Sequence, residues 1–199
     1  WVQVQGTNID MPVLRAVGEG FTNPVEKEGY GWVESDDSNY HNVINVLGHN
    51  IFNLSSKPKL SSDTFKRFEE LMGFVYYDFA KDNEYIQLTM DGKEYVYKIF
   101  ATSFVNASEA VVFPNGEYTK EEKKKYLKMM KENSIYDYDV DVSEEDDFAS
   151  VSTCTRMLGT DVYVNFFVVG RLMRKDEKYD NYIVKKNDNY KKIDKILKG

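Results

Sequence analysis

The chain has 199 residues, of which 42% are hydrophobic and 15% aromatic, which is enough apolar material for one domain with a buried core. Its formal charge of -7 excludes a general nucleic-acid-binding surface, because phosphate binding requires a clustered positive face. Cys154 is the single cysteine, and His41 and His49 are the only histidines, so an intrachain disulfide and a zinc site built on several cysteines are excluded.

The first quarter of the chain has the pattern of short strands. Residues 1–5 alternate apolar and polar side chains, as a half-buried strand does. Residues 9–14 contain Pro12, which indicates an edge or bulged strand. Residues 18–42 are rich in Gly, Asn, Asp and Ser, and we interpret them as a long surface connection to a short apolar strand over residues 43–47.

The middle of the chain adds two helices and a hairpin. Residue 62 starts a Ser-Asp-Thr sequence typical of a helix cap, which predicts a short helix. Asp91-Gly92 separates strand patterns over residues 84–90 and 93–101, and this dipeptide is typical of a two-residue hairpin turn. A charged helix is predicted over residues 119–133, and an acidic loop follows it.

The end of the chain differs in charge from the rest. Two final strands are predicted over residues 148–153 and 162–173. Residues 173–199 contain nine Lys or Arg against five Asp or Glu. Residues 189–198 carry apolar side chains at helical spacing, which predicts a short docked helix. We interpret residues 174–199 as a solvated basic helix or tail, with contact to an anionic membrane or wall surface as the alternative.

Two residues stand at strand ends and carry reactive side chains. Cys154 follows an apolar strand, so its thiol is expected at the rim of the sheet, where a thiolate could act as a nucleophile. His49 follows Gly48 at the end of another strand, and its ordinary pKa near neutrality suits proton transfer. We expect His41, in a polar segment, to be a surface residue.

These residues resemble the sortase family. The similar segments are Ser152-Thr153-Cys154-Thr155, Leu47-Gly48-His49-Asn50, the opening residues 1–13, the hairpin with Tyr95-Val96-Tyr97-Lys98-Ile99-Phe100, and Val168-Val169-Gly170-Arg171-Leu172. The charged helix before the cysteine strand is similar to the extra helix of class B sortases. The resemblance covers about residues 1–173, which we expect to form the catalytic barrel.

The resemblance implies a mostly β fold, an eight-stranded barrel with two or more helical insertions. It also implies a transpeptidase without a cofactor or metal. Cys154 would form a thioester with a C-terminal sorting motif of a surface protein or pilin, and His49 would transfer protons. The acceptor would be an amine of a cell-wall precursor or a pilin lysine. The enzyme would lie on the extracellular face of a Gram-positive membrane, tethered by an N-terminal segment that precedes this sequence.

One position departs from the family pattern. Sortases carry an arginine on the strand after the cysteine, and Asn165 stands where class B members have it. An amide can donate a hydrogen bond to an oxyanion but carries no charge. Three interpretations stay open: Arg156 supplies the guanidinium, Asn165 does a weaker version of the task, or the protein is slow, specialised or inactive. Arg171 lies six residues from Asn165, roughly 20 Å along a strand, which disfavours it.

The sequence offers weaker candidates for a substrate groove and for metal binding. Ser152 should share a strand face with Cys154, and Asn8 and Leu14 fall in the region that lines the groove in class B members. The carboxylates around residues 137–145 could bind calcium, but their spacing does not match an EF-hand, so we expect a solvated acidic loop. Two alternatives to the transpeptidase remain, a non-catalytic binding module and a cysteine hydrolase.

Overall fold

The computed structural model describes residues 1–15, 31–33, 40–50, 68–106, 115–159 and 164–198. Within these ranges the chain forms eleven β-strands, of which nine form one sheet and two form a small ribbon. In chain order the strands are β1 Val2–Val4, β2 Asp10–Met11, β3 Val13–Arg15, β4 Gly31–Val33, β5 Val43–Leu47, β6 Tyr85–Met90, β7 Lys93–Asn106, β8 Tyr136–Tyr138, β9 Phe148–Thr155, β10 Val164–Leu172 and β11 Val184–Lys186.

Four helical segments complete the described chain. A 3-10 helix over Phe68–Val75 is followed by α1, Tyr77–Asp82. Helix α2 spans Lys120–Asn133, and α3 spans Tyr190–Lys198. The helix predicted from residue 62 begins outside the described residues, whereas the predicted charged helix and the C-terminal helix are confirmed within one residue at their starts.

The large sheet closes towards a barrel because one chain segment contributes to both of its edges. The strand order is β2-β1-β6-β7-β10-β9-β5-β4-β3, so β2 lies at one edge and β3 at the other. Only Pro12 separates these two strands in sequence, and proline interrupts a ladder because it lacks an N–H donor. Counting β2 and β3 as one interrupted strand gives the eight-stranded, mostly β barrel that the sequence predicts.

Local signals in the sequence determine two of the elements. Asp91 and Gly92 both adopt positive φ angles, 49° and 73°, between the paired residues Met90 and Lys93. This is the two-residue turn that an Asp-Gly dipeptide favours, because its twist matches that of the flanking strands. Helix α2 begins at a capping box, in which the backbone N–H of Glu122 donates to Thr119 Oγ1 at 3.3 Å.

Three strands were not predicted. Strand β4 lies inside the segment expected to be a surface connection, where it pairs with β3 and β5. Strands β8 and β11 pair with each other in the two-stranded ribbon. The paired residues nearest in sequence, Tyr138 and Val184, are 46 residues apart. Each has only three residues, which is too short for alternation to be recognised, and pairing partners remote in sequence stabilise them.

The two faces of the sheet pack against different parts of the molecule. The inner face carries the larger core, which includes Val46, Val151 and Phe166 and encloses the 3-10 helix. The outer face between β5 and β7 packs against α2 through a second cluster that includes Phe148 and Phe167. Residues alternate between these faces along β9 and β10, so the outer face of β9 also carries Cys154.

The basic segment after β10 is packed against the barrel. Strand β11 pairs with β8, and Tyr190 and Ile193 of α3 are buried in the larger core. The lysines of α3 face outward, as an amphipathic helix requires. The interpretation as a helix is therefore confirmed for residues 190–198, while the functional boundary at residue 173 stays a prediction.

Candidate active site

Three side chains on neighbouring strands form a row at the end of β9. Cys154 of β9 pairs directly with Asn165 of β10. On the other side β5 runs parallel to β9, and the hydrogen bond from Gly48 N to Ser152 O (3.0 Å) continues their register one step past the end of β5. His49 is the second residue after β5, and extending this register places it next to Cys154, with neighbouring backbones about 4.8 Å apart.

The thiol of this row is open to solvent. Cys154 is exposed, while Thr153 and Thr155 on either side of it are buried. His49 and Asn165 are partly exposed. Because side chains opposite one another in adjacent strands point to the same face, the thiol, imidazole and amide all belong to the outer face of the sheet.

The position of His49 depends on close packing around Gly48. A Cβ atom at residue 48 would lie 2.1 Å from Cγ of Phe68, so only glycine fits against this buried ring. The backbone N–H of Phe68 donates to the carbonyl oxygen of His49 at 3.0 Å, and Thr153 Oγ1 donates to that of Gly48 at 2.7 Å. These contacts attach the histidine segment to both the cysteine strand and the 3-10 helix.

Asn165 occupies the position that the resemblance assigns to an arginine. Its neighbours across the sheet are Cys154 in β9 and Val105 in β7. Phe167 and Val169, two and four residues further along β10, share its face and belong to the second cluster. The amide is therefore placed on the side of the thiol opposite to His49, where it can donate a hydrogen bond but supplies no charge.

Arg156 lies near the row but not in a strand. It follows the last residue of β9 and is partly exposed, and its carbonyl oxygen accepts a hydrogen bond from Gly159 N at 3.0 Å. This turn holds the arginine two residues beyond Cys154. Its guanidinium is the positive charge nearest in sequence to the thiol, which makes it a candidate oxyanion donor. That role stays a prediction.

Arg171 belongs to the opposite end of the same strands. It pairs with Phe148 at the start of β9 and is only 2% exposed. Its two terminal nitrogens donate to the two carboxylate oxygens of Glu177 at 2.6 and 2.7 Å. This bidentate guanidinium holds the pKa of Glu177 well below its ordinary value, against the opposing effect of burial. Arg171 is therefore a structural residue.

Two of the three groove candidates lie on the outer face. Ser152 is buried, and its hydroxyl donates to Asn45 Oδ1 at 3.1 Å, so that group is engaged within the sheet. Leu14 is 39% exposed. Leu14 and Leu47 both pair with residue 32 of β4, which places the two leucines on one face, in the row next to that of Cys154.

The third groove candidate, Asn8, is not part of this row. It lies in the turn between β1 and β2, where its backbone N–H and side-chain Nδ2 donate to the carboxylate of Glu70 at 2.7 and 2.8 Å. Glu70 belongs to the 3-10 helix, so these bonds attach the turn to the barrel core. A part for Asn8 in substrate binding stays a prediction.

The acidic loop is neutralised by basic side chains. Asp141 accepts from Arg174 at 2.6 Å, and Glu145 forms an ion pair with Lys120 at 2.6 Å. Within the described ranges no group of three His, Cys, Asp or Glu side chains is arranged to hold a metal ion. None of the helices in those ranges has the length and apolar composition of a membrane span.

Sequence reasoning missed residues that support the row. Leu47 could have been found by extending strand alternation back from His49, because residues 47 and 49 share a face. Asn45, which accepts hydrogen bonds from Ser150 and Ser152, could have been suspected as an amide inside an apolar strand. Phe68 had no signal, because its contact with Gly48 exists only in the folded chain.

The chain is similar to one protein-family model and to several solved structures. The family model of the sortase domain matches residues 2–173. No curated protein matches the sequence. The structure is similar to that of Clostridium perfringens sortase B, with 28% identity and a TM-score of 0.69, covering 87% of this chain and 92% of that chain.

Two pilus-related structures share the fold. Sortase B from the type II pilus of Streptococcus pneumoniae has 20% identity and a TM-score of 0.66, with coverage of 88% of this chain and 91% of that one. A class B sortase involved in pilus biogenesis in Streptococcus pyogenes has 19% identity and a TM-score of 0.62, with coverage of 87% and 90%. By the match over residues 2–173 and by its class B fold, the chain belongs to the sortase family.

Proposed function

We propose that this protein is a cysteine transpeptidase with Cys154 as its nucleophile and His49 as its general acid and base. The observation that carries the proposal is the register of β5, β9 and β10, which aligns His49, an exposed Cys154 and Asn165 on one face. Family membership supports a transpeptidase, and the row adds specific residues for each task.

In the first half-reaction Cys154 attacks the scissile carbonyl carbon as a thiolate. A C–S bond forms, and the carbonyl oxygen becomes an oxyanion. The C–N bond then breaks, and the imidazolium of His49 protonates the leaving amine. The products are a thioester on Cys154 and the released C-terminal part of the substrate. A thiolate is needed because the protonated thiol is a poor nucleophile.

In the second half-reaction an amine attacks the thioester carbonyl. His49, now neutral, takes the proton that the amine nitrogen loses as the new C–N bond forms. The C–S bond breaks and returns the thiolate, so both residues regain their starting states. Solvent exposure of the thiol is essential here, because two different macromolecules must reach it in turn.

The oxyanion of both steps needs a hydrogen-bond donor on the side of Cys154 opposite to His49. Asn165 holds that position by strand register, with an uncharged amide. Arg156, two residues beyond the nucleophile, is the charged alternative. Losing one such donor lowers turnover by about 100- to 1000-fold in other enzymes, so single substitutions separate the two residues.

The proposed substrate is a surface protein or pilin with a C-terminal sorting motif. A Staphylococcus aureus sortase B, whose fold this chain shares at 17% identity and a TM-score of 0.65, has been solved as a substrate complex. In this chain, exposed Leu14 and partly exposed Leu47 give the outer face an apolar strip beside the row, suited to an apolar side chain of the motif. The acceptor is an amine of a wall precursor or a pilin lysine, at the outer cell surface.

A second function is favoured by one observation, the uncharged Asn165. A barrel without the arginine of its family is suited to a binding module that has lost efficient catalysis. A hydrolase, which passes the acyl group to water, is a third possibility that uses the same first half-reaction. These functions differ in measurable products.

The test uses a panel of fluorogenic sorting-motif peptides with and without an added amine. The wild-type protein is compared with Cys154→Ala, His49→Ala and Asn165→Arg. His41→Ala serves as the matched control, because His41 lies outside the row and faces Glu117 at 3.5 Å. Mass spectrometry identifies the ligated product, the hydrolysed product and the thioester.

The transpeptidase is supported by motif-specific ligation that Cys154→Ala and His49→Ala abolish and His41→Ala retains. Cleavage without ligation at saturating amine would identify a hydrolase. Turnover that appears only in Asn165→Arg would identify an impaired barrel. Peptide binding without turnover in any variant would support the binding module and contradict the proposal.

A further inference from the structure

A polar cleft lies on the side of the barrel opposite to Cys154. In the sheet order, β1 is four strands from β9 in both directions once β2 and β3 are taken as one strand. The cleft has a volume of about 540 Å³, within the range of roughly 300 to 1,000 Å³ typical of small-ligand sites. Its lining residues are Gln3, Val4, Gln5, Gly6, Thr7, Ile9, Asp10, Tyr85, Gln87, Val96 and Tyr179.

The floor of the cleft is a row of polar side chains across three strands. Gln3 of β1 pairs with Asp10 of β2 on one side and with Gln87 of β6 on the other. Their neighbours Val4 and Leu88 are buried in the larger core, so the row faces outward. Gln3 and Gln87 are partly exposed, and their side-chain amides make no hydrogen bond within the part of the chain that the structure describes.

One wall of the cleft is the turn between β1 and β2. Gly6 has a φ of 75°, and a Cβ at this residue would lie 2.0 Å from Oδ1 of Asn83, so the turn is packed closely against the residue that follows α1. Val4 N donates to Ile9 O at 3.0 Å, and Thr7 Oγ1 donates to Val4 O at 2.8 Å. These hydrogen bonds within the chain preorganise this wall, which lowers the entropy lost on binding.

Two tyrosines form a further part of the lining. The rings of Tyr85 and Tyr179 meet edge to face, with their centroids 5.0 Å apart. The hydroxyl of Tyr85 donates to the carbonyl oxygen of Asp180 and accepts from its backbone N–H, both at 3.1 Å, which fixes this ring. Tyr179 is 66% exposed, so an aromatic surface is open to solvent at the rim of a polar floor.

The charges of the lining narrow the class of ligand. No lysine or arginine is among the described residues that line the cleft, so this lining offers no cation to hold a phosphate or carboxylate. Asp10 is the one carboxylate, and its Oδ1 accepts a hydrogen bond from the indole of Trp1. The lining provides side-chain amides, which both donate and accept hydrogen bonds, and two aromatic rings.

We propose that this cleft binds an uncharged sugar unit of a glycan. Gln3 and Gln87 donate to and accept from neighbouring hydroxyl groups, which present both functions at short spacing. Tyr179 packs against the C–H face of the sugar ring, as an amphipathic aromatic side chain can. The site would hold the protein on a polysaccharide while Cys154, on the other side of the barrel, stays accessible.

The experiment measures binding of neutral trisaccharides to the whole chain by NMR titration. The probes are the trimers of N-acetylglucosamine and of glucose, in β-1,4 and α-1,4 linkage. The variants are Gln87→Ala and Tyr179→Ala. Thr89→Ala is the matched control, because it lies two residues along the same strand and outside the lining. Cys154→Ala is included to separate this site from the catalytic row.

We expect saturable shifts with at least one trisaccharide, at amides of β1 and β6. The dissociation constant should rise about tenfold or more in Gln87→Ala and Tyr179→Ala, and stay unchanged in Thr89→Ala and Cys154→Ala. The thermal midpoints of all variants are measured, so that unfolding is not mistaken for lost binding. Absence of saturable shifts with every probe, or equal affinity in all folded variants, would overturn the proposal and leave the transpeptidase unaffected.

Discussion

The two ends of the β9–β10 pair use the same strands in opposite ways. At one end Cys154 faces Asn165, and the thiol is exposed. At the other end Arg171 is buried and bonded twice to Glu177, and Lys98 reaches the same carboxylate at 3.0 Å. At the buried end the charged side chains form ion pairs that stabilise the fold. At the open end the reactive thiol is accessible to solvent.

The comparison shows how one sheet can separate stability from chemistry. Buried charges are tolerated only when each has a partner, because desolvation of an unpaired ion costs several kcal/mol, roughly 3 to 5 when one partner is removed. A nucleophile has the opposite requirement, because its substrate must displace water from it. The buried ion pair and the nucleophile lie at opposite ends of the same strands, so the rigid end holds the accessible end in a fixed position.

Removing the thiol should have the largest effect on activity and almost none on stability. We expect Cys154→Ala to abolish thioester formation, because no other cysteine is present in the chain. The exposed position predicts a change in the free energy of unfolding within about 0.5 kcal/mol. Mass spectrometry of the trapped acyl-enzyme and urea denaturation measure the two effects. A large loss of stability would mean that the thiol is part of the core and that the two ends do not differ in this way.

Removing a charge at the buried end should lower the stability of the fold strongly. We expect Glu177→Gln to lower the free energy of unfolding by about 3 to 5 kcal/mol, because Arg171 would be left buried without its anionic partner. Glu145→Gln is the control, since the exposed pair of Glu145 with Lys120 is worth no more than about 1 kcal/mol. Equal effects in the two variants would show that the Arg171 pair contributes no special stability.

The same pair predicts a pH dependence with a definite sign. Arg171 lowers the pKa of Glu177 in the folded protein below the unfolded value of about 4.3. The stabilisation is therefore complete above about pH 4.3 and declines as the pH falls towards the folded pKa. Between about pH 5 and about pH 3 the wild type should lose more stability than Glu177→Gln, as denaturation at each pH would measure. Parallel pH profiles would contradict the assignment.

Single substitutions can distinguish the two candidate oxyanion donors at the open end, Asn165 and Arg156. If Asn165 is the donor, Asn165→Ala should lower turnover about 100-fold or more and Arg156→Ala much less. If Arg156 is the donor, the order reverses. Steady-state rates with the best peptide of the panel distinguish the two, and the KM of each variant shows whether substrate binding is also affected. Little change in either variant would mean that neither side chain stabilises the oxyanion.

The smallest expected effect tests how the histidine is held in the row. Gly48→Ala should destabilise the fold by about 1 to 3 kcal/mol, because its Cβ would overlap the ring of Phe68. Gly116→Ala is the control, since a Cβ there would meet Tyr118 at an ordinary 3.7 Å. Adding Phe68→Leu should recover part of the loss, and a double-mutant cycle by denaturation measures this coupling. Strictly additive effects would show that the ring does not restrict residue 48.

Much of the fold was predictable because its signals are local. Asp91-Gly92 specifies a tight turn by its φ preferences, and Thr119 with Glu122 specifies a helix start by reciprocal hydrogen bonds. Strand β4 was missed because three residues show no pattern, and its stability comes from pairing with β3 and β5. The mostly β barrel and the family were confirmed, and the roles of the site residues stay predictions.

The reactive side chains can be read from the amino-acid sequence, which contains one thiol and two imidazoles and has strand patterns that end at Cys154 and His49. Which of these side chains become neighbours depends on the folded chain. The parallel register of β5 with β9 and the antiparallel register of β10 with β9 put His49 and Asn165 on either side of Cys154. Strand register is set by packing of both sheet faces between segments far apart in sequence, and no local pattern encodes it.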